Sequence, residues 1–179
     1  MTDETPTSKF QPERYRDYLH FLARMRLRKG SPAPFEASDV VHDALLRAHR
    51  NRHQFRGETE AEWRGWLRSI LARALADAFR VAPDEQVLDK SSARLEDFLP
   101  QVESTPSQKL DREEQILLLA EALTKLLDDE RTTLELRFFQ DPPWSFAEIA
   151  AHLNRTAKAV ADLNYRALRR LRGFLQQTT

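Results

Sequence analysis

The chain has 179 residues, enough for one ordinary domain or two small ones. It contains no cysteine, which excludes a disulfide framework and thiolate chemistry. No apolar run approaches the ~20 residues that a membrane span needs, and the polar N-terminus has no signal-peptide core. These features predict a cytoplasmic protein that makes no membrane contact.

The formal net charge of zero is the sum of three unequal segments. Residues 10–82 hold 14 Lys and Arg against 9 Asp and Glu, residues 83–114 hold 4 against 9, and residues 144–179 hold 6 against 2. Two basic segments therefore flank an acidic one. Basic segments are typical of nucleic-acid contact, and the overall neutrality conceals them.

The first basic segment predicts three helices, following a disordered N-terminus at residues 1–9. The first helix spans about 10–29 and ends before Gly30 and Pro32; its apolar face is formed by Tyr15, Tyr18, Leu19, Leu22 and Met25. Ser38 is the predicted N-cap of the second helix, whose inward positions are Val41, Leu45, Ala48 and, more loosely, Phe55.

A polar loop at Arg56–Glu62 precedes the third helix, which begins at Trp63. Its outer side carries Arg64, Arg68, Arg73 and Arg80. At helical spacing Trp66 is expected in the core. For Trp63 two interpretations remain, a core position or a stacking platform for bases.

The acidic segment predicts a linker at 83–108. It holds Pro83, Pro100 and Pro106 with several serines and no sustained helical stripe, so one short helix is expected, around Ser92–Leu99. The whole chain has four glycines and almost no β-branched alternation, which predicts an all-α fold.

The C-terminal stretch "SFAEIAAHLNRTAKAVADLNYRALRRLR" predicts two short helices joined by a tight corner. Ser145 and Glu148 form a capping box, Asn154 suits the left-handed conformation of a corner, and Thr156 is a good N-cap. The outer faces carry Arg155, Lys158, Ala161, Asp162, Tyr165, Arg166, Arg169 and Arg170. This pattern is typical of a DNA-reading helix-turn-helix, and an ordinary helical hairpin with solvated charges is the alternative.

Metal and enzymatic chemistry are not predicted. His42, His49 and His53 are spaced i, i+7 and i+11, whereas a zinc helix uses closer i, i+4 pairs with dedicated carboxylates. The sequence has no Gly-rich phosphate loop, G-x-S-x-G or H-E-x-x-H motif. We therefore expect no cofactor, no metal and no enzymatic activity of its own.

The segments "SDVVHDALLRAHRNRHQFRGETEAEWRGWLRSILARALADAFR", "SSARLEDFL" and "LELRFF…WSFAEIAAHLNRTAKAVADLNYRALRRLR" together resemble an extracytoplasmic-function (group 4) sigma factor of bacterial RNA polymerase. The resemblance covers residues ~10–177 in the family's order, and the "RGETEAE" loop and "SSARLE" linker resemble a planctomycete-type subgroup. It implies two small helical domains: region 2 at 10–82 and region 4, a helix-turn-helix, at 109–177, joined by the linker.

The resemblance also implies partners and site residues. The partners are promoter DNA, core RNA polymerase at its largest-subunit clamp helices and its flap, and an anti-sigma factor as a further candidate. The residues implied at the clamp helices are Asp39, Val40, His42, Asp43, Leu46, Arg47 and Arg50. Those implied at the melted −10 element are Arg56, Gly57, Glu58, Trp63, Arg64, Arg68, Arg73 and Arg80, with the loop capturing a flipped base. Those implied at the −35 element are Arg155, Thr156, Ala157, Lys158, Ala161, Asp162, Tyr165, Arg166, Arg169 and Arg170.

Four departures from the family pattern bear on promoter choice. Ala74 stands where the family commonly has asparagine, and no arginine run follows Arg80. Asp162 puts an acid on the reading helix, and Pro142-Pro143 make the turn before Trp144 unusual. Two other classes remain open on sequence grounds. One is a dimeric helix-turn-helix regulator acting without core polymerase, and the other is a helical adaptor that binds only proteins.

Overall fold

A computed structural model of the chain describes residues 10–28, 36–80, 83–99 and 112–177. These ranges are built from helices and contain no strand. They divide into two compact units, Met1–Asp89 and Lys90–Thr179. The prediction of an all-α fold with two helical domains is therefore confirmed. Within the same ranges, none of the helices combines the length and apolar composition that a bilayer span requires.

Three predictions fall on residues outside these ranges. They are the disordered N-terminus at 1–9, the end of the first helix before Gly30 and Pro32, and the stretch 100–108 of the linker.

The described part of the first unit is centred on a three-helix bundle. A 3-10 turn at Pro12–Tyr15 leads into α1 (Arg16–Arg28). It is followed by α2 (Ala37–Asn51), a second 3-10 turn at Arg52–Gln54, and α3 (Glu60–Phe79). The bundle core contains every residue of the predicted first-helix stripe, namely Tyr15, Tyr18, Leu19, Leu22 and Met25. The periodicity of that stripe therefore identified the buried face.

The predicted N-cap of α2 is wrong by two residues. The helix begins at Ala37, and its N-cap is Glu36, which makes no side-chain capping bond. Ser38 is exposed, and its hydroxyl donates to Glu36 Oε2 at 3.4 Å. Ala37 is buried together with Val40, so tertiary packing extends the helix past the residue with the best capping chemistry.

The predicted short helix in the linker is longer than expected. The helix α4 spans Glu85–Phe98, and the division between the two units falls within it. Leu88 and Leu95 are fully buried on the same face as Ser91 and Ser92. Because two of these four positions are serines, the buried stripe does not stand out as apolar in the sequence.

The residues of α4 on either side of this division make contacts within their own unit. In the first unit, Arg68 Nε lies 2.7 Å from Asp89 Oδ1. In the second unit, Arg94 Nη2 lies 3.2 Å from Asp141 Oδ1, and the ring of Phe98 lies 5.2 Å from that of Phe139.

The described part of the second unit contains α5 (Arg112–Thr124), α6 (Asp128–Leu134), a π-helical turn at Glu135–Phe139, α7 (Phe146–Leu153) and α8 (Ala157–Gln177). Helix α8 packs against α5, α6 and α7. Beneath the α7–α8 corner lies a small core of Leu136, Ile149, Ala150 and Val160, against which Trp144, Phe146 and Leu153 pack. This core fixes the angle at which α8 leaves the corner.

Candidate functional site

The C-terminal hairpin has the local structure that its sequence predicts. The Ser145 hydroxyl accepts from the Glu148 N–H at 3.2 Å, and the Glu148 side chain returns a bond to Ser145, so the capping box is complete. Asn154 is left-handed, with φ 53°. Thr156 Oγ1 accepts from the Ala159 N–H at 3.2 Å and caps α8. These three predictions are confirmed.

The Glu148 carboxylate has a pKa below its ordinary value, because the Ser145 hydroxyl and then the Ser145 N–H donate to it. Glu148 in the capping box therefore stays ionised as the pH falls into the range where an unperturbed glutamate would be protonated.

Most residues predicted at the −35 element face solvent. Ala161 is half-buried. The others are exposed: Arg155, Thr156, Ala157, Lys158, Asp162, Tyr165, Arg166, Arg169 and Arg170. Tyr165 is 67% exposed, an unusual position for a large aromatic side chain. The predicted residues of the hairpin thus include five exposed cations and one exposed acid, Asp162.

Two arginines of that surface pair with carboxylates of α6, a feature that sequence reasoning missed. Arg155 donates through Nε to Asp129 Oδ2 at 2.8 Å, and Arg170 Nη1 lies 3.0 Å from Glu130 Oε2. Glu130 is only 1% exposed, whereas Arg170 is 48% exposed. The run Asp128–Asp129–Glu130 at the start of α6 was the available signal, but its partners are 26 and 40 residues away.

Helix α2 presents the residues predicted to contact the polymerase in three different environments. Asp39, His42, Leu46 and Arg50 are exposed, Asp43 and Arg47 are half-buried, and Val40 is buried in the bundle. Leu46 is 43% exposed, so it is not a core residue. Although buried, Val40 lines a groove between α2 and α3.

Arg47 joins α2 to α3. It lies 2.8 Å from Asp43 Oδ2 and donates to Asp77 Oδ2 on α3. These hydrogen bonds, to Asp77 first and Asp43 second, raise the pKa of the guanidinium above its ordinary value. A groove between the two helices is lined by these three side chains with Asp39, Val40, Ala74 and Ala78. Asp77 was not among the predicted site residues.

The loop before α3 is shorter than predicted, because α3 begins at Glu60 rather than Trp63. Thr59 is its N-cap and forms a capping box with Glu62. Glu62 accepts from the N–H groups of Glu58 and Thr59, each at 2.9 Å. Residues 55–59 therefore form a short loop closed by hydrogen bonds, in which Arg56 and Glu58 are exposed.

The pKa of Glu62 lies below its ordinary value because the N–H of Glu58, and then that of Thr59, donates to the carboxylate. Stabilisation by a carboxylate with a lowered folded-state pKa is present above the unfolded pKa and is lost as the pH falls through the folded one. The bonds to Glu62 that close the loop are therefore in place at neutral pH.

An aromatic cluster lies beneath the loop. The ring of Trp63 is 4.9 Å from Phe55 and 4.8 Å from Trp66, and Phe55 is 5.7 Å from Trp66. Trp63 is fully buried and Trp66 is half-buried, which reverses the order that helical spacing suggested. A contact between Trp63 and DNA would require this cluster to open.

The arginines predicted along the melted strand divide into two groups. Arg64 is buried with its Cζ 5.9 Å from the Tyr18 ring centre, and Arg68 Nη1 donates to Tyr18 Oη at 3.1 Å. By contrast, Arg56, Arg73 and Arg80 are exposed. Arg80 ends α3 in a left-handed conformation with φ 52°. Only the second group can reach a phosphate without rearrangement.

Comparison with known families gives one match in each of the two compact units. The chain matches Sigma-70 region 2 over residues 13–82 and Sigma-70, region 4 over residues 122–173. Together the matches cover about two thirds of the chain. Searches among curated proteins and among solved structures found no significant match.

The first match covers the three-helix bundle with its loop, and the second covers the α6–α8 region with its basic hairpin. Both regions occur in one chain, each on a unit of its own, and promoter recognition is the role that joins them. The chain therefore belongs to the sigma-70 family and is a sigma factor, a DNA-binding specificity factor for promoter recognition and transcription initiation.

Proposed function

We propose that the protein is a group 4, extracytoplasmic-function sigma factor that binds core RNA polymerase through α2, reads the −35 element with α8, and opens the −10 element with the loop 55–59 and α3. The observation that carries this proposal is the presence of two exposed surfaces. One is a basic hairpin on the region 4 unit, and the other, on the region 2 unit, is the loop 55–59 with Arg56 followed by the exposed Arg73 and Arg80. The planctomycete-type subgroup and an anti-sigma partner are part of the same proposal.

The geometry of α8 supports −35 reading. Its N-terminus, capped by Thr156, places the positive end of the helix dipole beside the exposed Lys158. Arg166 and Arg169 are exposed two and three turns further along, where they can contact the flanking phosphates. Asp162 lies between these cations and can accept a hydrogen bond from a cytosine amino group.

The loop and α3 support a role in strand opening. An extruded base needs a pocket, and the displaced strand needs a cationic track. The loop 55–59 places Arg56 and Glu58 above an aromatic cluster, with Trp66 half-buried at its edge. Arg73 and Arg80 are exposed further along α3. These side chains supply a polar rim, a stacking surface and a cationic track.

Reconstitution with core polymerase tests the proposal as a whole. Run-off transcription from a genomic promoter library should yield defined start sites that depend on the added protein. A monomer that is active only with core polymerase supports a sigma factor. A dimer that retards duplex DNA by itself indicates the regulator class, and a protein without salt-sensitive DNA affinity in either state indicates an adaptor.

We expect the exchange of Arg56 and Glu58 for serine to stop strand opening while sparing polymerase binding and −35 contact. These side chains are exposed, and the exchange leaves Gly57 and the Thr59–Glu62 cap in place. Base preference within the −10 element should also change, because a pocket reads the extruded base. Permanganate footprinting measures opening, and a randomised −10 library measures preference.

The matched control for the loop exchange replaces His53 and Gln54 with serine, since both are exposed in the preceding 3-10 turn. It should behave as wild type. If the Arg56/Glu58 exchange left both opening and base preference unchanged, the loop would be a simple connection.

Asp162→Ala and Arg169→Ala should have opposite signatures in −35 binding. Loss of the acid should relax discrimination at one or two positions and cost about 1–3 kcal/mol at most on the cognate site. Loss of the arginine should weaken all sequences alike and reduce the salt slope by roughly one phosphate. Holoenzyme binding to a −35 library at several salt concentrations measures both, and a wild-type preference profile in Asp162→Ala would remove the acid from the reading set.

A further inference from the structure

The segment Phe10–Tyr15, here called the strap, contacts the chain on both sides of the loop 55–59. The ring of Phe10 is 5.5 Å from Phe55, just before the exposed part of the loop, and 5.6 Å from Trp63 beyond it. Four residues along the strap, Arg14 Nη1 lies 3.3 Å from Glu60 Oε1, at the first residue of α3. The strap therefore bridges the two ends of the loop.

The strap has its own attachment to the bundle. Pro12 and Tyr15 are buried, and the ring of Tyr15 lies 6.4 Å from that of Tyr18 on α1. The Arg14 N–H donates to the Gln11 carbonyl at 3.3 Å and closes the 3-10 turn. These contacts attach the strap to the bundle in addition to the ring contacts of Phe10.

Contact at Phe55 is transmitted to the loop backbone through Gly57. A Cβ atom added at Gly57 would lie 2.5 Å from Phe55 Cζ and 2.9 Å from Glu62 Cβ. Even a methyl group is therefore excluded, and the backbone of Gly57 rests directly on the Phe55 ring. Because Phe10 packs against that ring, the strap determines where the loop backbone lies.

We infer that Phe10 is a positioning residue for −10 base selection, acting through Phe55 and Gly57 to hold the loop 55–59 in one conformation. This inference rests on the proposed role of the loop in base capture. A preformed loop binds its base without first being ordered, and it discriminates better because its polar groups are already in place. Phe10 touches no DNA in this scheme.

The experiment compares the full chain with Phe10→Ala, with the conservative Phe10→Leu, and with Phe79→Ala as a control. Phe79 is a half-buried phenylalanine at the far end of α3, roughly 28 Å along the helix axis from Glu60. Limited trypsin digestion followed by mass spectrometry measures cleavage after the exposed Arg56, and needs neither polymerase nor DNA. Holoenzyme on a randomised −10 library measures base preference.

We expect cleavage after Arg56 to be roughly tenfold faster in Phe10→Ala, because native-state proteolysis follows the population of the opened loop. The −10 preference should flatten in the same variant, while the −35 preference and polymerase binding remain unchanged. Phe10→Leu should restore most of both properties, and Phe79→Ala should leave both at wild-type values.

Each other result counts against the inference in a distinguishable way. Unchanged cleavage in Phe10→Ala would show that the strap does not hold the loop. Faster cleavage with an intact −10 preference would show that the strap holds a loop that does not select the base. A wild-type holoenzyme without any −10 preference would overturn the proposed function of the loop, and with it the role of Phe10 in selection.

Discussion

The double change Asp43→Arg with Leu46→Glu is expected to abolish co-purification of the protein with core RNA polymerase. Leu46 is 43% exposed on α2, and an exposed leucine beside a mixed-charge pair suits a partner's helical surface better than it suits phosphates. The change removes the apolar contact and reverses a charge at the same face. Affinity purification with tagged polymerase, followed by quantitation of the bound protein, measures the effect.

The fold should survive this double change. Leu46 is not in the core, and the Asp43–Arg47 pair lies at the surface, where such pairs contribute about 0–1 kcal/mol. Circular dichroism should therefore show unchanged helicity and a small shift in melting temperature. A control with His53→Glu and Gln54→Arg introduces similar charges at exposed positions outside α2 and should bind normally. Retained binding by the Asp43/Leu46 variant would contradict the assignment of this helix to the polymerase.

Arg170→Ala is expected to destabilise the second unit by about 3 kcal/mol, because it leaves the buried carboxylate of Glu130 without its cation. This value is at the low end for breaking a buried pair, since Arg170 itself is 48% exposed. For a unit of this size, the loss corresponds to a fall in melting temperature of roughly 12–24 °C. Thermal denaturation followed by circular dichroism measures it.

Two matched variants separate this effect from lost DNA contact. Arg169→Ala removes the neighbouring exposed arginine, for which the described residues give no ion pair, and should melt close to wild type. Adding Glu130→Gln to Arg170→Ala removes the unpaired charge and should recover most of the stability. Equal melting temperatures for Arg169→Ala and Arg170→Ala would mean that the pair has no structural role.

Sequence reasoning succeeded where the physics is local. The capping box at Ser145–Glu148, the left-handed Asn154 and the Thr156 cap all depend on residues within four positions of one another. Their chemistry favours one backbone conformation whatever surrounds them. The hairpin and its basic face could therefore be predicted from the sequence.

Sequence reasoning failed where tertiary contacts determine the local structure. The capping preference of Ser38 was outweighed by the burial of Ala37, and the inversion of Trp63 and Trp66 depends on rings contributed by Phe10 and Phe55. The partners of Asp129 and Glu130 lie 26 and 40 residues further along the chain. No periodicity encodes such contacts. The sequence therefore identified the arginines of the hairpin, but it could not show which of them form ion pairs with α6.

The left-handed conformation of Arg80 has a consequence for engineering this protein. A non-glycine residue in that conformation costs about 1–2 kcal/mol, and glycine avoids most of it. A stability-driven redesign would therefore place glycine at the end of α3 and gain thermal tolerance. The same change would delete an exposed cation from the region 2 unit. If Arg80 contributes to strand opening as proposed, selection for heat resistance and selection for promoter opening should favour different residues at this position.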